Sequence, residues 1–283
     1  MNAFLKSIWI GVVQHYWRVI KSVFICYSVL WTIVESTAFF LRSNNSPDPP
    51  LWKFAIIGVI SILFGVVYSR QKRNITIKTN SFDTKIKVCF GDIFGEDGLI
   101  AISVNEFFDS IVDDKHVSSN SLHGILIRKY FGGQPEGFDS CVDKALAQEQ
   151  YQDIQRNSGR TRKYQIGTTA LVTANDKAFL CVALAKTDIE SLKANANVSQ
   201  LWDAMVGLLQ KARIVSNGRD LSIPLLGGGL SGVGLLPVQI ILMIIMAAYE
   251  ESKKQKICDT IKIVLPENRF EDIDLSIIES NWR

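Results

Sequence analysis

The stretch Ile223-Pro224-Leu225-Leu226-Gly227-Gly228-Gly229-Leu230-Ser231-Gly232-Val233-Gly234 decides how this chain folds. It follows an apolar, strand-like run over 220–226 and precedes a helical pattern that starts near Pro237. Its five glycines let backbone N–H groups approach a ligand closely, and the helix N-terminus behind them favours an anion. That combination is a phosphate cradle. Gly227, Gly229 and Gly232 also satisfy G-x-G-x-x-G, but a dinucleotide-binding fingerprint opens its domain and is answered by a strand-end acid about 20 residues on. Here the residues at that distance are Glu250 to Lys254, on the end of a helix. A P-loop is excluded as well, because no Gly-Lys-Ser/Thr follows the glycines.

Outward from this loop, strand signals lie at 85–90, 99–104, 168–174, 178–185, 220–226 and 260–265, with helical patterns at 121–131, 138–154, 199–216 and 237–253. Continuous apolar strands suit central positions covered on both faces. Their alternation with helices predicts an α/β domain around a mixed, mostly parallel six-stranded sheet. Val238 to Tyr249 is very apolar, yet a run of about a dozen residues is too short to cross a bilayer, so it reads as a buried helix.

Two further pieces carry chemistry. Val88-Cys89-Phe90-Gly91-Asp92-Ile93-Phe94 ends the first strong strand, where a carboxylate can accept a hydrogen bond from an exocyclic amine such as that of adenine. Ile102-Ser103-Val104-Asn105-Glu106-Phe107-Phe108-Asp109 ends the second, and Asn120-Ser121-Leu122-His123-Gly124 opens the helix that follows. Taken singly, Gly91-Asp92 is also an ordinary turn, and Asn105 and Ser121 also read as caps. His123 either touches a ligand or caps its helix.

The N-terminal region is different in kind. Residues 22–41 and 51–69 are apolar runs of 20 and 19 residues, each roughly 30 Å long as a helix, the thickness of a hydrocarbon core. Between them, 42–50 holds turn residues with Pro47, Pro49 and Pro50, so the pair reads as a transmembrane helical hairpin. Upstream, Ser7, Gly11, Gln14, Arg18 and Lys21 form a narrow polar stripe on a helical pattern over 4–21. Such a stripe suits an interfacial helix or an extension of the first span that packs on its copies. Glu35, inside the first span, is either a polar contact in an oligomeric bundle or an acid that reaches water at the far interface.

The net charge of +3 hides a division. Residues 1–73 carry eight Lys/Arg against Glu35 and Asp48, or +6, and the rest carry 23 against 26, or −3. Basic flanks outside the hairpin (Arg18, Lys21, Arg70, Lys72, Arg73) place both of its ends, and everything after Arg73, in the cytoplasm. A remainder with net negative charge argues against a nucleic-acid-binding domain. The five cysteines are widely spaced with no C-x-x-C, and the three histidines form no H-E-x-x-H, so neither disulfides nor a metal site is expected.

Order and spacing bring these pieces together. A strand ending in Gly-Asp-Ile, a strand ending in Val-Asn, a glycine-bearing entry to a helix, the run Lys163-Tyr164-Gln165-Ile166-Gly167-Thr168-Thr169-Ala170, and a late strand ending in Pro-x-x-Gly-x-Gly-x-x-Gly together resemble the macro domain over about residues 85–266. That family is an ADP-ribose-binding, three-layer α/β/α module. Fused to a two-span hairpin, it is similar to the transmembrane–macro effectors of Thoeris antiphage defence. The resemblance implies a membrane region over 1–73 and a macro-like nucleotide-sensing domain over 74–283. It implies Asp92 and Ile93 at adenine, and Asn105 near the distal ribose with Ser121, Leu122, His123 and Gly124 around it. Leu226, Gly227, Gly228, Gly229, Leu230, Ser231 and Gly232 would wrap the pyrophosphate. The ligand would be an ADP-ribose-type signal, possible conjugates on the distal ribose included, made from NAD by a TIR-domain partner. Binding would drive homo-oligomerisation and disruption of the bacterial inner membrane, ending in cell death or arrest. The family's ADP-ribosyl hydrolases need Asn-Ala-Ala-Asn and Gly-Gly-Gly-Val stretches, whereas this chain has Asn105-Glu106-Phe107-Phe108-Asp109. Sensing without catalytic residues is therefore expected, and a membrane-tethered ADP-ribosyl hydrolase is the alternative.

Overall fold

The computed structural model describes residues 3–41, 51–77, 84–229 and 232–282. Contacts divide the chain into two units, one of residues 1–73 with Asp274–Ser276 and one of 74–273 with 277–283.

In the first unit, α1 (Ala3–Gln14) and α2 (Tyr16–Leu41) are separated at His15, and α3 (Leu51–Tyr68) packs along α2. Trp31 stacks on Phe54 with ring centroids 4.9 Å apart, and Gly65 lies against Val19 and Val23, so α2 and α3 run antiparallel. Tyr16–Phe40 is long and apolar enough to cross a membrane, and Trp52–Tyr68 is a shorter apolar helix. The loop expected at 42–50 lies outside the described residues. The helix expected over 4–21 breaks at His15, and the first span starts at Tyr16 rather than at residue 22. The break lets α1 meet the chain just after α3. There Gln71 N–H donates to the Ser7 carbonyl at 3.0 Å, and a Cβ on Gly11 would overlap the Ser69 carbonyl. Ser7 and Gly11 of the polar stripe thus make contacts within the chain. Glu35 lies on an exposed face of α2 with Ser28, Thr32 and Phe39, turned away from α3. The Ser28 and Thr32 hydroxyls donate back to the carbonyls of Phe24 and Ser28 at 2.8 Å each.

The second unit is built on a sheet of order β1-β2-β10-β9-β3-β7-β6. Its strands are β1 (Asn74–Ile77), β2 (Lys85–Phe90), β3 (Leu99–Asn105), β6 (Thr169–Ala174), β7 (Lys177–Thr187), β9 (Leu221–Pro224) and β10 (Thr260–Leu265). The five from β2 to β7 in this order are parallel, and β1 and β6 close the two edges antiparallel. A short β8 (Ala194–Asn195) pairs with the end of β7. All six expected strands are present, and β1 and β8 enlarge the sheet to eight. Alternation sorts the layers, because successive side chains on a strand face opposite ways. Phe179, Cys181 and Ala183 of β7 join the core under α4 (Leu122–Tyr130) and α5 (Pro135–Ala145), while Leu180, Val182 and Leu184 are buried on the other face. There α6 (Val198–Val215) packs on β7, and α7 (Pro237–Lys254) packs on α6 and β10. The helix expected over 138–154 is α5 alone. Pro135 fits its first turn, and Tyr151–Asp153 instead forms β4, a hairpin with β5 (Arg162–Tyr164). A short α8 (Leu275–Ser280) closes the described chain.

Candidate ligand-binding site

Central parallel strands expose their carboxyl ends where order and connection leave room between loops, and ligands collect there. At the end of β3 the register slips between Val104 and Asn105, which turns the chain into a tight segment with Phe108 at φ 55°. Asn105 is 7% exposed and spends both ends of its carboxamide on Asp109: Nδ2 donates to Oδ2 at 2.9 Å, and Oδ1 accepts from Asp109 N–H at 3.0 Å. Asp109 is buried and completed by Arg156, whose Nη1 and Nη2 reach its oxygens at 2.9–3.0 Å, and by the Arg160 N–H at 2.9 Å. The Arg156 guanidinium stacks 4.0 Å over the Phe107 ring. A buried ion pair of this quality is tolerable because every lone pair on the carboxylate is answered.

Past this clamp the chain enters α4. Ser121 is its N-cap, with Oγ accepting from Gly124 N–H at 3.0 Å, and a Cβ on Gly124 would overlap the Ser118 carbonyl. His123 therefore does not cap the helix. It sits at the second helical position, 5% exposed, with its ring 5.1 Å from that of Phe138 and its Nε2 unpartnered. Burial pushes its imidazole down to about 4, against the opposing pull of the Asp109 charge. Nearby, His116 Nδ1 lies 2.9 Å from Asp113 Oδ2 and Nε2 lies 2.8 Å from Ser158 Oγ. Burial raises the Asp113 carboxyl, but hydrogen bonds from His116 and Lys115 outweigh it and hold the group at about 2.

After β9, the glycine loop folds partly on itself. Gly227 has φ +76°, its carbonyl accepts from Val233 N–H at 3.1 Å, and Gly228 N–H and Gly232 N–H reach the carbonyls of Leu225 and Gly229. The N–H groups of Gly227 and Gly229 keep no acceptor among the described residues. Leu230 and Ser231 lie outside those residues.

These elements enclose a cavity of about 270 Å³. Of the expected residues, Asn105, Ser121, Leu122, His123, Leu226, Gly227 and Gly229 line it, joined by His116, Val117, Ser118 and Asn120. Among the described residues, no Asp, Glu, Lys or Arg belongs to the wall. Gly124 packs beneath it, and Gly228 and Gly232 shape its loop. Asp92 and Ile93 stand apart from this cavity. Asp92 caps a 3₁₀ turn through Oδ1 to Phe94 N–H at 3.0 Å, and Ile93 is buried in the core beside Phe94. The sequence motifs missed Arg156 and His116, because their partners lie far along the chain or in an irregular loop. Asp109 through the chain-distant Arg156 is 47 residues removed.

Residues 86–266 match the family described as Thoeris protein ThsA, Macro domain. Thoeris protein ThsA of Bacillus amyloliquefaciens (strain Y2) is 27% identical over 183 residues, 62% of this chain. The match spans 59% of that relative's length. A solved mutant of the Oceanobacillus iheyensis macrodomain superposes with a TM-score of 0.50 at 12% identity, covering 74% of this chain and 98% of its own, which shows the shared fold. By the match over most of its length, the chain belongs to the Thoeris ThsA macro-domain family.

Proposed function

We propose that this chain is a Thoeris defence effector. Its domain over 74–283 binds an ADP-ribose-derived signal that a TIR-domain partner makes from NAD, and binding drives the N-terminal helices to oligomerise and disrupt the bacterial inner membrane. The observation that carries this reading is the presence, in one chain, of a Thoeris macro domain and of Tyr16–Phe40, a helix long and apolar enough to cross a membrane. Both ends of the hairpin and the domain lie in the cytoplasm in this arrangement, with α3 as the second span.

In the domain, Gly227 and Gly229 offer backbone N–H groups to the pyrophosphate, which suits a cavity wall that has no lysine or arginine among the described residues. Asp92, exposed and with only Oδ1 engaged among the described residues, takes the adenine amine. Asn105 and the α4 entry surround the distal ribose. The signal must bind the assembled state better than the resting one, and a shift from mostly resting to mostly assembled takes about a 10⁴-fold preference. Liposomes carrying the full-length protein should release dye when the TIR-made product is added; silence there removes the effector reading even if binding survives. Calorimetry on the same protein should show Asp92→Ala weakening ADP-ribose by roughly 10- to 150-fold, the loss of a charge-assisted hydrogen bond of about 1.5–3 kcal/mol. Unchanged affinity would remove the adenine assignment. Turnover of an ADP-ribosylated substrate that stops with Asn105→Ala would establish the tethered hydrolase instead. The engagement of the Asn105 carboxamide by Asp109 favours sensing over turnover.

A further inference from the structure

We propose that copies of this chain join in the membrane through the Glu35 face of α2 on one copy and Lys53 of α3 on its neighbour. The inference deepens the effector reading above, by naming the surface through which the helices oligomerise, and rests on it. Both residues are exposed, and neither has an ion-pair partner among the described residues. The Lys53 ammonium lies 5.9 Å from the centre of the Trp52 ring, a contact that leaves its charge uncompensated. The packing of α2 on α3 sets their depths. Phe54 stacks on Trp31, so Lys53 lies near the level of Trp31, and Glu35 is one helical turn, about 6 Å, farther along α2. A lysine stem spans that step. Beyond Glu35, α2 continues through Ala38, Phe39, Phe40 and Leu41. Phe39 and Phe40 are 77% and 84% exposed, and such apolar surface keeps the acid within the apolar layer rather than at its edge.

Two charges of opposite sign therefore stand at matching depth on one hairpin and do not meet within it. Either one facing lipid is costly, and charges inside a membrane almost always pair with one another or turn to the interior of a bundle. A second copy supplies what each lacks. The receiving face of α2 is built of acceptors: Thr32, one turn before Glu35, spends its hydroxyl proton on the Ser28 carbonyl at 2.8 Å, and its oxygen stays able to accept. An ammonium carries three donors and no acceptor, so a carboxylate and a hydroxyl oxygen suit it together. The opposite face of α2 is already filled, with Val19, Val23 and Trp31 against Gly65 and Phe54 of α3. A lipid phosphate would satisfy Lys53 but repel Glu35, whereas another copy answers both charges at once.

The test measures self-association of the full-length protein in liposomes, by energy transfer between labelled copies, with and without the product of a TIR-domain enzyme acting on NAD. Glu35→Gln and Lys53→Met should each weaken the product-driven association roughly tenfold, the worth of a charge-assisted hydrogen bond. The two together should be no weaker than either alone, because the second change removes a partner that the first has already stranded. Glu35→Lys and Lys53→Glu should each abolish association, and the exchange of both should restore it. Carbonate extraction and the thermal transition of each variant show whether it still inserts and folds; if the reversed charges do not insert, the neutral pair decides alone. Losses that add in the neutral pair, or association like that of the wild type in both neutral single variants, overturn the interface. Product-driven association and dye release that persist in every variant remove this inference alone, whereas wild-type copies that never associate remove the effector reading with it.

Discussion

Two parts of the cavity wall are built by opposite rules. Where β3 ends, Asn105, Asp109 and Arg156 satisfy one another, with both carboxylate oxygens and both carboxamide ends engaged inside the chain. Across the α4 entry and the glycine loop, four backbone N–H groups, at Leu122, His123, Gly227 and Gly229, have no acceptor among the described residues. The first part spends its polarity on holding shape. The second keeps its polarity for something else, and it does so with main-chain donors, which lose less freedom on binding than a lysine or arginine side chain would.

The sharpest way to break this contrast is Arg156→Met, which leaves the Asp109 carboxylate buried and unpaired. Chemical denaturation of the full-length protein should show a loss of about 3–5 kcal/mol, and adding Asp109→Asn should recover part of it, because the penalty is that of the stranded charge. A loss below about 1 kcal/mol would mean that water reaches the clamp and the two parts are alike.

Next in size is an acid effect at His123. Its folded-state value is held at about 4 by burial, below its ordinary 6.5, so the unfolded chain binds the proton first. Stability is therefore intact above about pH 6.5 and falls as the pH drops towards 4, by on the order of 3 kcal/mol in all. His123→Asn should flatten that part of the stability profile, and an unchanged slope would place the proton uptake elsewhere.

Smaller effects probe the donor-rich side. Gly124→Ala forces a Cβ into the Ser118 carbonyl, and overpacking of this kind costs about 1–3 kcal/mol. It should also weaken nucleotide binding, since the first turn of α4 must shift. Ser121→Ala removes the cap on Gly124 N–H and should cost about 1 kcal/mol in thermal or chemical unfolding. A far larger loss would show that Ser121 also braces the clamp.

The strands were legible because β3 and β7 are continuous apolar runs of the kind buried parallel strands show, while β2 and β10 alternate polar and apolar residues, and β2 and β10 fall on the expected residues. β4 was not. Tyr151–Asp153 is exposed throughout, so no alternation marked it, and its pairing with residues 162–164 is a tertiary fact that overrode the helical pattern over 138–154. Among site residues, Asn105, Ser121 and Gly227 could be read because they punctuate the ends of elements. Ile93 was read beside Asp92 at the end of β2, and its side chain is buried in the core cluster with Phe94. His123 was open between ligand and cap until the actual cap, Ser121, placed it at the second helical position. Arg156 left no local trace at all: a single arginine in an irregular loop looks like any solvated charge until Asp109 is found opposite it.

Asp109 and Arg156 are 47 residues apart in sequence, and the excursion they close contains both α4 and α5. In loop-closure terms their pairing is a cross-link, doing with charge what a disulfide would do in an oxidising compartment. Unlike a disulfide, it restrains the folded state and can be released without chemistry. Cutting it by substitution should let α4 and α5 exchange their amide hydrogens together, ahead of the sheet, as one cooperative unit.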